Sequence, residues 1–261
     1  MPAGFSFTPI KGNSYGHYEA PPVPIARVTS PDKLNGAVLF ANENGGRPDL
    51  ELPPQAQFSM LPPTQPDVRE VLVICAASGG GKSWIARTYA EEYMAQWPGR
   101  KVYVISALTK DKTLDSLPGL KRVNVDSLVE HPFEKGEELK DFKKSLVLFD
   151  DCEALTGAAK RVVQELQDAL LTLGRHSVTS VIICNHLPAR GKETRLMLSE
   201  ATRYCVFPAA MGYHTLHYLL TTHVGLSPKE VQDLRSIRSR WVVLSKSFPR
   251  YLLSSNEARM L

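Results

Sequence analysis

From Val71 onward the chain alternates short apolar runs with stretches of helical period. The runs cover residues 71–75, 102–106, 146–149, 178–184, 204–207 and 241–244. They are unbroken rather than alternating, which suits strands covered on both faces in a parallel sheet. Between them, helices are legible by period. Ile85, Tyr89, Tyr93 and Trp97 recur every four residues after Ser83, and Pro98-Gly99 closes that run. Val162, Val163, Leu166, Ala169, Leu170 and Leu173 form one apolar stripe, with Gly174 expected as its C-cap. Ser227-Pro228-Lys229-Glu230 opens a later helix with a Ser cap, Pro at the first position and Glu three residues on. Residues 241–244, 245–249 and 251–253 predict a terminal hairpin. Strands alternating with helices in this way predict a three-layer α/β domain with a mostly parallel central sheet.

The first 66 residues have a different texture. They hold 12 of the 19 prolines, including Pro21-Pro22-Val23-Pro24, Pro53-Pro54 and Pro62-Pro63, which block helix and interrupt strand pairing. This divides the chain into a Pro-rich N-terminal arm or small β extension, residues 1–66, and a main domain, residues 67–261. Within the arm, residues 37–40 and 50–52 flank Gly45-Gly46 and predict a hairpin.

Composition adds limits. With 43% apolar and 22% charged residues among 261, the chain has the profile of a globular protein with a sizeable core. No apolar run approaches the ~20 residues of a membrane helix, and residues 1–10 carry no secretory pattern. The net charge of +4 conceals a gradient. Residues 1–66 and 67–185 each sum to −1, and residues 186–261 to +6. A basic end suits either a solvated face or a nucleic-acid surface. Arg235, Arg238 and Arg240, beside Trp241, carry the same two readings. Cys75, Cys152, Cys184 and Cys205 form no C-x-x-C pair, so free thiols in a reducing compartment are expected.

The most specific chemistry follows the 71–75 run. Ala76-Ala77-Ser78-Gly79-Gly80-Gly81-Lys82-Ser83 then enters a helix, which is the strand–loop–helix context of a phosphate-binding loop. Ala77, Ser78, Gly79, Gly80 and Gly81 are the expected cradle, in which Gly79, Gly80 and Gly81 let backbone N–H groups converge on phosphate without Cβ obstruction. The helix N-terminus adds partial positive charge, Lys82 a full one, and the Ser83 hydroxyl is placed to ligate Mg²⁺. Expected ligands are therefore ATP and Mg²⁺.

The 146–149 run ends in Asp150-Asp151. Asp150 suits the metal, and Asp151 suits orientation or deprotonation of an attacking water. Glu153 is a weaker base candidate. The 178–184 run leads into Asn185, either a γ-phosphate sensor or a turn former. Asp150 lies 68 positions after Lys82, with one further strand-like run between them. That spacing favours ATPases with an extra strand between the loop strand and the acid strand, the RecA/ASCE-like layout.

Asp150-Asp151, the amphipathic helix, Gly174-Arg175-His176 and the Ser180–Asn185 strand together resemble the genome-packaging ATPases of large DNA viruses and virophages, in the FtsK–HerA superfamily of DNA pumps. A 102–106 strand ending in Ser106 also fits. The likeness covers about residues 70–210. Ala76 stands where the loop pattern has Gly, and Asn185 where many relatives have Gln.

The resemblance implies ATP hydrolysis coupled to translocation of double-stranded DNA into a preformed capsid. It implies a homo-oligomeric ring, pentamer or hexamer, working with capsid or membrane vertex proteins in host cytoplasm or virion. It also implies an arginine reaching the next subunit's γ-phosphate. Arg175 is the first candidate and Arg195 the second, each with local ion pairing as the alternative. Two other classes stay open: a different P-loop ATPase, such as a phage assembly protein or helicase loader, and a nucleotide-gated capsid-binding module.

Overall fold

A computed structural model describes residues 2–9, 21–131, 138–186 and 191–261. The N-terminal portion forms β1 (Gly4–Ser6), β2 (Val23–Thr29), β3 (Val38–Asn42), β4 (Asp49–Glu51) and β5 (Gln57–Met60). Then come β6 (Val71–Cys75), α1 (Lys82–Gln96), β7 (Val102–Ser106), β8 (Leu120–Arg122), α2 (Val125–Glu130), β9 (Leu146–Asp150) and α3 (Gly157–Ser177). The chain continues through β10 (Ser180–Asn185), α4 (Lys192–Glu200), β11 (Arg203–Val206), α5 (Tyr213–Leu219) and α6 (Pro228–Ser236). It ends in β12 (Val242–Ser245), β13 (Tyr251–Ser254) and β14 (Glu257–Met260).

Ten strands make the central sheet, in the order β4-β14-β13-β12-β11-β6-β10-β9-β7-β8. The six from β11 to β8 run parallel, and β12, β13, β14 and β4 add an antiparallel flank. The apolar runs are continuous because both faces are covered. Leu72 and Ile74 of β6 pack beneath α1 with the N-terminal strands, while Val71, Val73 and Cys75 pack beneath α3, α4, α5 and α6. This is the three-layer P-loop NTPase fold. The strand between β6 and β9 is β10, paired in register with both. The strand that intervenes in sequence, β7, lies outside β9.

Helix α1 buries Ile85, Tyr89 and Tyr93, as its four-residue period predicts. The Ser227–Glu230 capping box of α6 forms with Pro228 at its first position, and β12 and β13 make the terminal hairpin. Two local expectations change. Helix α3 does not stop at Gly174; it runs to Ser177 and is capped by Val178 in the left-handed region, φ 55°. Gly174 serves close approach instead. A Cβ there would lie 2.7 Å from Arg69 Nη1, whose guanidinium donates to the carbonyls of Leu170 and Leu171, each at 2.7 Å. The predicted N-terminal hairpin also does not form. β3 joins β1 and β2, whereas β4 leaves for the edge of the central sheet and pairs with β14.

The described part of residues 1–66 is packed, not trailing. Four of its strands form a sheet in the order β1-β3-β2-β5. Phe5, Ile25, Leu39, Phe58 and Met60 of this sheet are buried in one cluster with Tyr89 and Tyr93 of α1. Residues 10–20 of the expected arm lie outside the described residues.

Candidate functional site

The carboxyl ends of the parallel strands carry the candidate chemistry. Directly after β6, the loop from Ala76 turns into α1 through Gly79 and Gly81, at φ 74° and 113°. Side chains other than glycine rarely adopt such angles, which explains the glycines at these two positions. Gly80 N–H donates to the Ala77 carbonyl at 3.1 Å, and Ala76 N–H donates to the Asn185 carbonyl at 3.3 Å, tying the loop to the end of β10. Lys82 is buried, and its Nζ donates to the carbonyls of Ala76 (3.2 Å) and Ala77 (3.4 Å). The ammonium is therefore held at the mouth of the loop by the loop's own backbone. Ser83 follows in the first helical turn, half-buried.

Asp150 ends β9. Register places Cys184 between it and Ile74 of β6, so Asp150 stands two strands, about 10 Å, from the loop strand. It is 1% exposed, and among the described residues neither carboxylate oxygen accepts a hydrogen bond from a nitrogen or oxygen donor. The Cys184 thiol alongside is a weak donor. Burial first, then the charge of Asp151, pushes the Asp150 carboxyl above its ordinary range. An unpaired buried carboxylate is costly unless a cation compensates it. Ser83 and Asp150 are the residues that could hold Mg²⁺: one hydroxyl at the loop and one buried carboxylate at the end of β9, across the intervening strand β10. Asp150→Asn is expected to raise the melting temperature of the protein in a chelator while abolishing Mg²⁺-supported turnover. Thermal melts with EDTA and a phosphate-release assay check the two halves.

Asp151 sits at φ 52°, a conformation that Asp tolerates better than most residues. This turns its side chain out of the strand direction, half-exposed, with Oδ1 3.5 Å from His186 Nε2. Glu153 is held more firmly. Its Oε1 accepts from the His186 backbone N–H at 2.8 Å, and its Oε2 lies 2.7 Å from His186 Nδ1. One imidazole therefore touches both candidate bases. The sequence offered no signal for it, because residues 151 and 186 lie on different strand ends that only the fold brings together. Asn185 is 6% exposed, its Nδ2 3.9 Å from Met197 Sδ.

The structure brings Ala77, Ser78, Gly79, Gly80, Gly81, Lys82, Ser83, Asp150, Asp151 and Asn185 to one end of the sheet. Arg175 is not among them. It lies in the last turn of α3, exposed, with Nε 3.3 Å from His176 Nε2. A 21-residue helix is about 30 Å long, so Arg175 stands at the opposite end of the subunit from its own phosphate loop. Arg195 is exposed on α4. Arg240, in contrast, reaches the loop from the residue preceding Trp241. Its Nη2 lies 3.4 Å from the Gly80 carbonyl.

No family model matches the chain. Protein V3 of Sputnik virophage, an uncharacterized protein, is 31% identical over 242 residues, covering 91% of this chain and 95% of V3. This chain belongs to the V3 family. The relationship spans both the N-terminal strands and the phosphate-loop domain, and V3 comes from a virophage, one of the groups to which the sequence motifs point. Among solved structures, the genome packaging NTPase B204 of Sulfolobus turreted icosahedral virus 2, in complex with ATP-gammaS, is 11% identical. It matches 74% of this chain and 98% of its own with a TM-score of 0.47. The cytoplasmic domain of the type VII secretion ATPase EccC of Thermomonospora curvata is 15% identical. The match covers 90% of this chain and 28% of that chain, with a TM-score of 0.49.

Proposed function

We propose that this V3-family protein is a Mg²⁺-dependent ATPase of the FtsK–HerA type that drives double-stranded DNA into a preformed viral capsid. The observation that supports it most is the pairing of a glycine-rich phosphate loop with an orphaned buried carboxylate, Asp150, across one intervening strand. In this reading the loop N–H groups of residues 77–81 cradle the α- and β-phosphates, and Lys82 takes charge on the β- and γ-phosphates. Ser83 and Asp150 would hold Mg²⁺, which when bound neutralises charge on the same phosphates. Asp151 orients or deprotonates the attacking water, with Glu153 as the alternative base, and Asn185 at the end of β10 senses the γ-phosphate.

In a single subunit Arg175 cannot meet this site, because the length of α3 separates them. As the finger of a homo-oligomeric ring, pentamer or hexamer, it would meet the neighbour's γ-phosphate; Arg195 is the second candidate. The N-terminal sheet of residues 1–66 would dock the engine to capsid or membrane vertex proteins. Among the described residues no helix is long and apolar enough to cross a membrane.

The test is the ATPase rate with and without double-stranded DNA, alongside mass in solution. DNA is expected to stimulate hydrolysis several-fold, with activity per subunit falling as the ring is diluted to monomers. Nucleotide binding without turnover, in a strict monomer, would favour a nucleotide-gated capsid-binding module. Turnover indifferent to DNA would favour another P-loop ATPase.

A further inference from the structure

We infer that Arg240 is a nucleotide-binding residue acting in cis, a cation that the same subunit supplies to the polyphosphate on its own phosphate loop. The inference rests on the nucleotide reading of that loop and names a contact that the sequence motif does not contain. Nη2 of Arg240 stands 3.4 Å from the Gly80 carbonyl and 3.6 Å from the place a Cβ on Gly81 would occupy. A second residue flanks the same point: Phe207, at the end of β11, has Cε1 3.4 Å from that Gly81 position. The loop is thus bordered by an aromatic ring and a guanidinium, both from beyond the motif.

Three features separate Arg240 from an ordinary surface arginine. First, among the described residues it forms no ion pair with a carboxylate; its one hydrogen bond is to a loop carbonyl. Arg69, Arg87, Arg122, Arg203 and Arg259 each pair with an acid. An exposed guanidinium with only a carbonyl for company keeps its charge and most of its five donors for a ligand.

Second, the backbone that delivers it is fixed on both sides. Ser239 Oγ donates to the Trp241 carbonyl at 2.7 Å and accepts from the Ser255 N–H at 3.1 Å. Trp241 is buried in the core cluster that includes Ile85, Ala86 and Tyr89 of α1. Rigid support of this kind makes a side chain a precise ligand.

Third, topology aims it correctly. β12 is antiparallel to β11, so the start of β12 lies at the carboxyl end of the parallel strands, where the loop is. The cluster of Arg235, Arg238 and Arg240 therefore divides. Arg235 lies over the Tyr213 ring at 5.3 Å, whereas Arg240 reaches the Gly80 carbonyl of the loop.

Equilibrium binding of ATP, ADP and AMP with Mg²⁺, measured at a protein concentration where the mass is monomeric, tests this. Arg240→Ala is expected to weaken ATP and ADP about tenfold, the equivalent of ~1.4 kcal/mol, and to leave AMP unchanged. Arg240→Lys, which keeps the charge and loses the fork, is expected to recover part of the loss. ATP and ADP affinities within twofold of wild type in Arg240→Ala would overturn the inference, as would a loss seen only when DNA is present. Failure of the wild-type protein to bind ATP at all would instead overturn the nucleotide reading beneath it.

Discussion

Replacing Lys82 with alanine is expected to abolish ATP turnover and to leave the fold intact. The ammonium is held at the mouth of the loop by the carbonyls of Ala76 and Ala77 at 3.2 and 3.4 Å. It forms no ion pair with an acid among the described residues, and its removal breaks no buried network. The cost to stability is therefore small, about 1 kcal/mol on the scale of a single hydrogen bond. The cost to catalysis is large. In the proposed function Lys82 supplies a point charge where charge develops on the phosphates, and the loss of such a group lowers kcat by roughly 10²–10³. Arginine should not rescue it. The planar fork is wider than an ammonium, and the space between the loop carbonyls fits a compact charge. A phosphate-release assay on purified Lys82→Ala and Lys82→Arg, beside their thermal melts, checks both halves. Turnover within tenfold of wild type in Lys82→Ala would remove the loop from the catalytic centre.

The strand–glycine loop–helix turn of the candidate site was legible in the sequence because its requirements are local. Three glycines, a lysine and a serine must follow one strand and enter one helix, and contiguous residues meet that requirement. The buried strands were legible for a related reason, since a strand covered on both faces needs an unbroken apolar run. What the sequence could not show is adjacency across long separations. The strand between the loop and the acid was expected, yet its identity as β10 rather than β7 depends on a crossover that no local pattern encodes.

Glycine roles divided in the same way. Gly79 and Gly81 answer a backbone demand that their neighbours reveal. Gly174 answers Arg69, more than 100 residues earlier in the chain, and so read as a helix stop. The hairpin predicted around Gly45-Gly46 failed because β4 found its partner in β14, at the other end of the chain. His186 and Arg240 were seen only as residue types until the sheet brought one against Glu153 and the other against Gly80.

Breaking the buried pair at the opposite end of the sheet is expected to be the most destabilising change in the chain. Glu70 precedes β6 and Arg203 opens β11, and the two form a bidentate ion pair that is almost wholly buried. The Tyr89 hydroxyl of α1 donates to the same carboxylate, and Arg203 Nη2 donates to the Leu61 carbonyl at 2.8 Å. Burial alone would depress the Arg203 pKa, but the Glu70 charge outweighs it and the guanidinium is held charged. The Tyr89 hydroxyl, buried and beside that carboxylate, is pushed well up and stays protonated.

Every partner is thereby compensated, and the cluster ties the N-terminal segment, α1 and two central strands to one point. Removing one member strands the other charge in the core, which costs about 3–5 kcal/mol. In a chain of this size that lowers Tm by roughly 6–20 °C. Arg203→Met and Glu70→Leu should each show this loss in thermal melts. The double variant, which removes both charges, should lose clearly less than the two singles together, because no uncompensated charge remains. Additive losses would mean that the pair acts only through packing volume. The loop and Asp150 lie at the other end of the strands, so each variant that still folds should keep its affinity for ATP. A fall in affinity matching the fall in Tm would show instead that Tyr89 carries the disturbance along α1 to Lys82.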